Sequence, residues 1–289
     1  MPDTTPLTRL LTLFDLERLD RDLFLGSPGP GKGRLFGGLI AAQAVMAAGR
    51  TVENGAYLHS LHAYFLRPGN HNAPIRYSVY RIRDGRSFTS RDVVAYQSGE
   101  AIFSVSTSFV TLDDGADFQT PPPVSRPPDE LRDLEAEWTE KHGDDEDKEW
   151  LANYPIEQRH ERLGGVGEDG VRRRSLWMRP KGAMPDETLL HTALLAWISD
   201  DGLMSTVFSW TEPEARQGMR ASLDHAMWFH EPPRWDDWLN YRSESHISRH
   251  ARALITGAMY AQDGRRVVTV TQEALLRPPK HNSSLALDV

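Results

Sequence analysis

Cysteine is absent from all 289 residues. That one absence removes disulfides, thiolate zinc sites and cysteine nucleophiles, so any chemistry must rest on oxygen and nitrogen groups. Basic charge is also in short supply, with 33 Lys and Arg against 41 Asp and Glu and a net charge of -8. Nothing then draws the chain as a whole to nucleic acid or anionic lipid, although a local basic pocket for a small anion stays compatible. Long apolar runs are missing, and none approaches the ~20 residues of a membrane span. The N-terminal MPDTTPLTRLLTLFDLERLD breaks its apolar residues with charges, and the C-terminal SSLALDV matches no address or lipidation signal. The expectation is a soluble cytoplasmic protein. Neither G-x-S-x-G nor H-E-x-x-H occurs, and neither His160-Glu161 nor His230-Glu231 has a second His at the required offset. No metal or cofactor is expected.

Among what is present, GSPGPGKGR at 26–34 carries the spacing of a phosphate-binding loop. Pro28 and Pro30 lack the N–H groups of a phosphate nest, and Gly33 stands where a magnesium-binding Ser or Thr belongs. GVGEDG at 165–170 spells G-x-G-x-x-G, but the following VRRRSLWMRP reads as a strand, so the dinucleotide context fails. Both patterns read as loops. Around the second lies a stretch of different composition, running from TPPPVSRPP through EAEWTEKHGDDEDKEW to GGVGEDG. Prolines remove backbone donors and the acidic run reads as a solvated surface, so this is a connection or insertion.

The two flanks of that connection repeat one plan. LHAYFLRPG, IRYSVYRIRDGRSF and RDVVAYQSGEAIFSVSTSFV are followed later by DHAMWFHEP, WLNYRSESHISRH and ARALITGAMYAQDGRRVVTVTQEALL. His62-Ala63 pairs with His225-Ala226, and Gln97-Ser98-Gly99 with Gln262-Asp263-Gly264. His62 and His225 then read as one satisfied structural position made twice. Alternating apolar residues around Ser98-Gly99 and Asp263-Gly264 predict antiparallel hairpins. Each half has one helical segment, GGLIAAQAVMAAG (37–49) and DETLLHTALLAWISDDG (186–202), with strand-like RDLFLG (21–26) or RSLWMRP (174–180) before it. A curved antiparallel sheet buries one face, and a single apolar helix covers it. The expected fold is α+β, a double hotdog of two tandem units: 1–118, a Pro-rich and acidic connection over 119–170, and 171–289.

FGGLIAAQA, HSLHAYFLRPG, RDGRSF, WISDD, DHAMWFH and YAQDGRRVVTVTQE resemble, in order and across both halves, the motifs of the type II acyl-CoA thioesterases, the TesB-like double-hotdog family. The resemblance lapses mainly in the connection. It implies hydrolysis of acyl-CoA to free fatty acid and CoA, without a cofactor, by a water held between an Asp, a Thr or Ser and a Gln, in a protein that forms homo-oligomers. Carried over by motif, these are Asp200, Ser222, where many members have Thr, and Gln272. Ser keeps the hydroxyl and loses the methyl that restricts its rotamer. Gly38 is a candidate oxyanion donor, because helix N-termini present unpaired N–H groups; close packing of the helix accounts for the glycine equally well.

The alternatives come from other classes. A hotdog enoyl-CoA hydratase or dehydratase would use Asp186 and His191, which have the D-x-x-x-x-H spacing of the hydratase dyad, in PDETLLH rather than G-D-x-N-P-L-H. A non-catalytic acyl-CoA-binding hotdog would need none of Asp200, Ser222 and Gln272. Arg67, Arg91, Arg249 and Arg252 are types that bind CoA phosphates, but equally form solvated strand faces, and no phosphate site is assigned.

Overall fold

The computed structural model describes residues 5–53, 55–142, 152–162, 165–207 and 218–277. The C-terminal SSLALDV and the acidic GDDEDKEW lie outside the described residues. The chain opens with a helix that the sequence reading lacked, α1 (Pro6–Phe14), whose N-terminus is capped by the Thr5 hydroxyl and which buries Leu7, Leu10 and Phe14. Strands β1 (Glu17–Asp20) and β2 (Leu23–Gly26) follow, then α2 (Gly37–Gly49) and β3 (Tyr57–Phe65). Next come β4 (Ile75–Asp84), β5 (Phe88–Gln97) and β6 (Glu100–Val110). After α3 (Leu134–His142), the second half consists of β7 (Ile156–Arg162), β8 (Arg172–Pro180), α4 (Thr188–Ser199) and β9 (Met219–Ser222). It ends with β10 (Asp224–Phe229), β11 (Leu239–Arg249), β12 (Arg252–Ala261) and β13 (Arg266–Arg277).

These strands form one sheet in the order β1-β2-β4-β5-β6-β3-β10-β13-β12-β11-β8-β7, with β9 also on β13. Every paired neighbour is antiparallel. Two half-sheets thus join edge to edge through β3 and β10, which removes two open edges at once. Ser98 and Gly99 turn the β5–β6 hairpin with φ of 50° and 85°, the left-handed pair that a two-residue hairpin requires.

Helices α2 and α4 lie together against one side of the sheet. Alanine pays no side-chain entropy in a helix, and α2 is apolar on all sides, so it is buried without a break from Gly38 to Ala48. Its one polar side chain there, Gln43, is fully satisfied: the amide donates to the carbonyls of Leu13 at 2.6 Å and Ser27 at 2.8 Å and accepts from the Tyr77 hydroxyl at 2.7 Å. The GSPGPGKGR loop is therefore the connection from β2 to α2, tied to that helix. Part of the stretch between the halves is sheet, because β7 pairs with β8. Other parts of it cross the outer face, where Trp177 donates to the Arg126 carbonyl at 2.8 Å.

One expectation fails. His62 and His225 are not one position repeated, because the paired residues are His62 with Ala226 and His225 with Ala63. His225 faces the helices and is 1% exposed, whereas His62 is exposed on the outer face, edge-on to Trp228 at 5.2 Å. A shift of one residue between two strands turns every side chain to the opposite face, so an alignment of letters aligned the wrong faces.

Candidate active site

Helix α4 ends at Ser199, with Asp200 as its C-cap and Gly202 in the left-handed conformation at φ 63°. An acid at a helix C-terminus meets the negative end of that helix's own dipole. Here the C-terminus of α4 abuts the N-terminus of α2, which reverses the balance. A Cβ on Gly38 would lie 2.3 Å from the Trp197 carbonyl oxygen, and one on Gly37 would lie 2.7 Å from Asp200 Oδ2. Only glycine permits this approach. The N-cap of α2, Phe36, offers no side-chain cap, and the Asp200 carboxylate faces the Gly38 N–H, which favours its charged form. An acid from the second half therefore stands at the N-terminus of a helix of the first, at the positive end of its dipole.

Strand β9 sets Ser222 opposite Ala274, two residues beyond Gln272 on β13. The Ser222 hydroxyl donates to Asp200 Oδ1 at 3.0 Å, and the Gln272 amide donates to Ser222 Oγ at 3.1 Å. Behind Gln272, its Oε1 lies 2.7 Å from His225 Nδ1, and His225 Nε2 lies 2.8 Å from Ser199 Oγ. Gln272 is 0% exposed and Asp200 8%. Phe36 stands edge-on to Trp197 at 5.5 Å, and the Phe65 ring reaches to the Gly37 backbone, so the carboxylate sits among aromatic walls. Asp200, Ser222, Gln272 and the Gly38 amide, chosen from sequence, are all brought together.

The protein-family model described as acyl-CoA thioesterase matches residues 144–275, and the one described as acyl-CoA thioesterase N-terminal domain matches 27–110. Human acyl-coenzyme A thioesterase 8 is 34% identical over 289 residues, covering 92% of this chain and 88% of the relative. Acyl-CoA thioesterase 2 of Haemophilus influenzae is 32% identical over 279 residues, covering 94% and 98%. The crystal structure of acyl-CoA thioesterase II TesB2 from Mycobacterium marinum matches with a TM-score of 0.80 and 34% identity, covering 94% of this chain and 98% of that one. The chain belongs to the type II acyl-CoA thioesterases. It is an acyl-CoA thioesterase with the double-hotdog fold.

In this thioesterase, burial is the largest influence on Asp200 and raises its carboxyl above the ordinary value, with Asp201 adding to the rise. His225, the Ser222 hydroxyl and the Gly38 N–H oppose it without cancelling it. Burial likewise lowers His225, against the pull of Asp200, so its neutral form is favoured. A carboxylate raised toward the working pH and already bonded to a hydroxyl is equipped to take a proton.

Other residues singled out in the sequence fall elsewhere. The Asp186–His191 dyad does not form: Asp186 pairs with Arg234 at 2.8 Å, its side chain 88% exposed. His191 is buried, and its Nδ1 accepts from the Trp235 N–H at 3.0 Å. Arg91 is 1% exposed and bonds Thr51, Asp84 and nearby carbonyls, so it binds structure and not a phosphate. Arg67 pairs with Glu100 and Arg252 with Glu273, both at 3.2 Å. Among the described residues, no group of three or more His, Asp or Glu could hold a metal ion. No helix among the described residues is long and apolar enough to cross a membrane. Sequence reasoning missed Ser199 altogether, because nothing local links it to a histidine 26 positions away.

Proposed function

We propose that the protein hydrolyses acyl-CoA by direct attack of a water held by Asp200, Ser222 and Gln272, with no acyl-enzyme. Asp200 acts as base, taking a proton as the water oxygen bonds to the carbonyl carbon and the carbonyl π pair moves onto oxygen. The tetrahedral adduct collapses, the carbon–sulfur bond breaks, and the proton held by Asp200 passes to the CoA sulfur. Free acid and CoA thiol leave, and every atom is accounted for. Ser222 and Gln272 fix the geometry of the water rather than moving protons. Glutamine does not titrate in this range, and the serine hydroxyl is already committed to Asp200.

The Gly38 amide serves the oxyanion in this reading. In the free protein it favours the charged form of Asp200. Once Asp200 is protonated its hold on that N–H weakens, as negative charge appears on the substrate oxygen. The first half thus contributes the donor at 1–118, and the second half the base at 171–289. The observation carrying the proposal is the unbroken run of hydrogen bonds Gln272–Ser222–Asp200 ending at a helix N-terminus.

Thiol release from a series of acyl-CoA lengths, followed beside Asp200→Asn, tests it. General-base loss predicts a fall in kcat of about 10²–10⁴-fold with KM nearly unchanged. An Asp200→Asn enzyme with parental turnover would remove Asp200 from the mechanism. The hydratase alternative has no assembled dyad in this structure, since Asp186 and His191 have separate partners.

A further inference from the structure

The hydrogen bonds behind Gln272 run on into the protein, and their direction is fixed by the group at the far end. An ionised carboxylate only accepts hydrogen bonds. Ser222 must therefore donate to Asp200 Oδ1, so its oxygen is left to accept from Gln272 Nε2. The Gln272 amide then has its Oε1 turned to His225, and that oxygen accepts from His225 Nδ1–H at 2.7 Å. A neutral imidazole with its proton on Nδ1 presents a lone pair at Nε2, which accepts from the Ser199 hydroxyl at 2.8 Å. Ser199 Oγ also lies 2.9 Å from the Ala196 carbonyl and 3.2 Å from Met227 Sδ, so the direction of the run is set from its Asp200 end and not by Ser199. Were the proton on Nε2 instead, Nδ1 would need a donor. The Gln272 amide would flip to provide it, and its Oε1 would accept from Ser222 and draw that hydroxyl away from Asp200.

We propose that His225 is a positioning residue for thioester hydrolysis: its Nδ1–H holds the Gln272 amide so that Nε2 faces Ser222, and thereby keeps the Ser222 hydroxyl donating to Asp200. This inference rests on the Asp200–Ser222–Gln272 reading above. His225 touches neither water nor substrate in this role. Its complete burial excludes exchange with solvent, and burial holds the ring neutral, as a single-tautomer lock requires. The fold gives the lock a rigid mount. His225 lies on β10, the strand that joins the two half-sheets, and Ser199 is the last residue of the helix whose cap is Asp200. The same short segment, Ser199-Asp200, thus carries both ends of the chain of bonds.

The test compares His225→Leu with His225→Asn, because an asparagine amide N–H can stand where Nδ1–H stood while leucine offers nothing. The expected result is a fall in kcat of about 10–100-fold for His225→Leu, the range seen when a partner that orients a reacting group is lost, with KM within about threefold and partial recovery in His225→Asn. The pH dependence of kcat adds a readout that lost packing would not move. Without the Ser222 donation the Asp200 carboxyl rises further, so the acid limb moves upward in His225→Leu, as in Ser222→Ala. His225 itself bears on Asp200 and is lost in both variants, so the difference in acid limb between His225→Leu and His225→Asn is what reports the Ser222 donation, with Asp201 and the Gly38 N–H unchanged. Nitrogen-15 NMR of the unmodified protein, with the His225 signals assigned by their loss in His225→Asn, should show the Nδ1-protonated neutral tautomer at pH 7. An Nε2-protonated ring or an imidazolium overturns the proposal, as does a His225→Leu enzyme with parental kcat and acid limb. The Asp200→Asn control separates the two readings: if it is inactive while His225→Leu is unaltered, the water mechanism stands and the lock falls. If Asp200→Asn is active, the mechanism itself falls.

Discussion

Adding one methyl group to either glycine of the pair at the start of α2 should have different consequences, although the two are adjacent. At Gly38 the new Cβ would stand 2.3 Å from a backbone oxygen, that of Trp197, with the Phe36 ring next nearest. Ordinary contact needs about 3.5 Å, so α2 and α4 must separate by about 1 Å at the point where they touch. Overpacking of this kind costs about 1–3 kcal/mol, offset by up to about 1 kcal/mol from replacing a helical glycine by alanine. A net loss of about 1–2 kcal/mol lowers Tm by roughly 2–8 °C in a protein of this size. At Gly37 the nearest atoms are Asp200 Oδ2 and the Phe65 ring, each at 2.7 Å, and both are ends of side chains that can turn aside. Gly37→Ala should then cost less than about 1 kcal/mol in stability, but it swings the carboxylate off Ser222. Misplacement of about 1 Å lowers turnover on the order of 10²-fold. Thermal unfolding and thiol release measured on both variants give the comparison. A Gly38→Ala protein as stable as the parent, or a fully active Gly37→Ala enzyme, would refute this account of why the glycines are there.

Three further outcomes follow from the same geometry. The base must be ionised and its pKa is raised by burial, so kcat should fall with acidification at a pH above the ordinary aspartate value of about 4, and a profile flat to pH 4 would contradict this. Ser222→Ala should lower kcat by at least about tenfold, while Ser222→Thr, which keeps the hydroxyl, should remain within a few-fold. His160 has shielded ring nitrogens without a hydrogen-bond partner, and burial lowers it from 6.5 to about 3. A lowered histidine means the unfolded chain binds the proton first, so stability is full above pH 6.5 and is lost as pH falls toward 3. At pH 5 the deficit is about 2 kcal/mol. Denaturant unfolding of His160→Leu should show that much less dependence between pH 7 and 5.

Much of this was legible in the letters. The alanine-rich run at 37–49 reads as a helix and the structure has Gly37–Gly49, because an apolar segment without a polar face has nowhere to lie but inside. The Ser98-Gly99 turn was equally plain, since few residue pairs tolerate two positive φ values. Helix α1 is hard to read in the sequence because Arg9 and the polar threonines interrupt Leu7, Leu10 and Phe14, which become one face only once the chain coils. The pairing of His62 with His225 failed for a related reason: sequence gives an order along the strand, and facing depends on a register set by the neighbouring strand.

The candidate site divides along the same line. The resemblance of the chain's motifs to the family's pointed to Asp200, Ser222 and Gln272, and the start of a helix to Gly38. Tertiary structure alone set the acid of one half at the helix N-terminus of the other, and brought Ser199 and His225 in behind Gln272. Hydrogen bonds between residues 26, 47 and 50 positions apart leave no periodic trace in a chain. They exist because antiparallel strands and two facing helix ends converge on one buried point, where a polar group without a partner costs too much to remain.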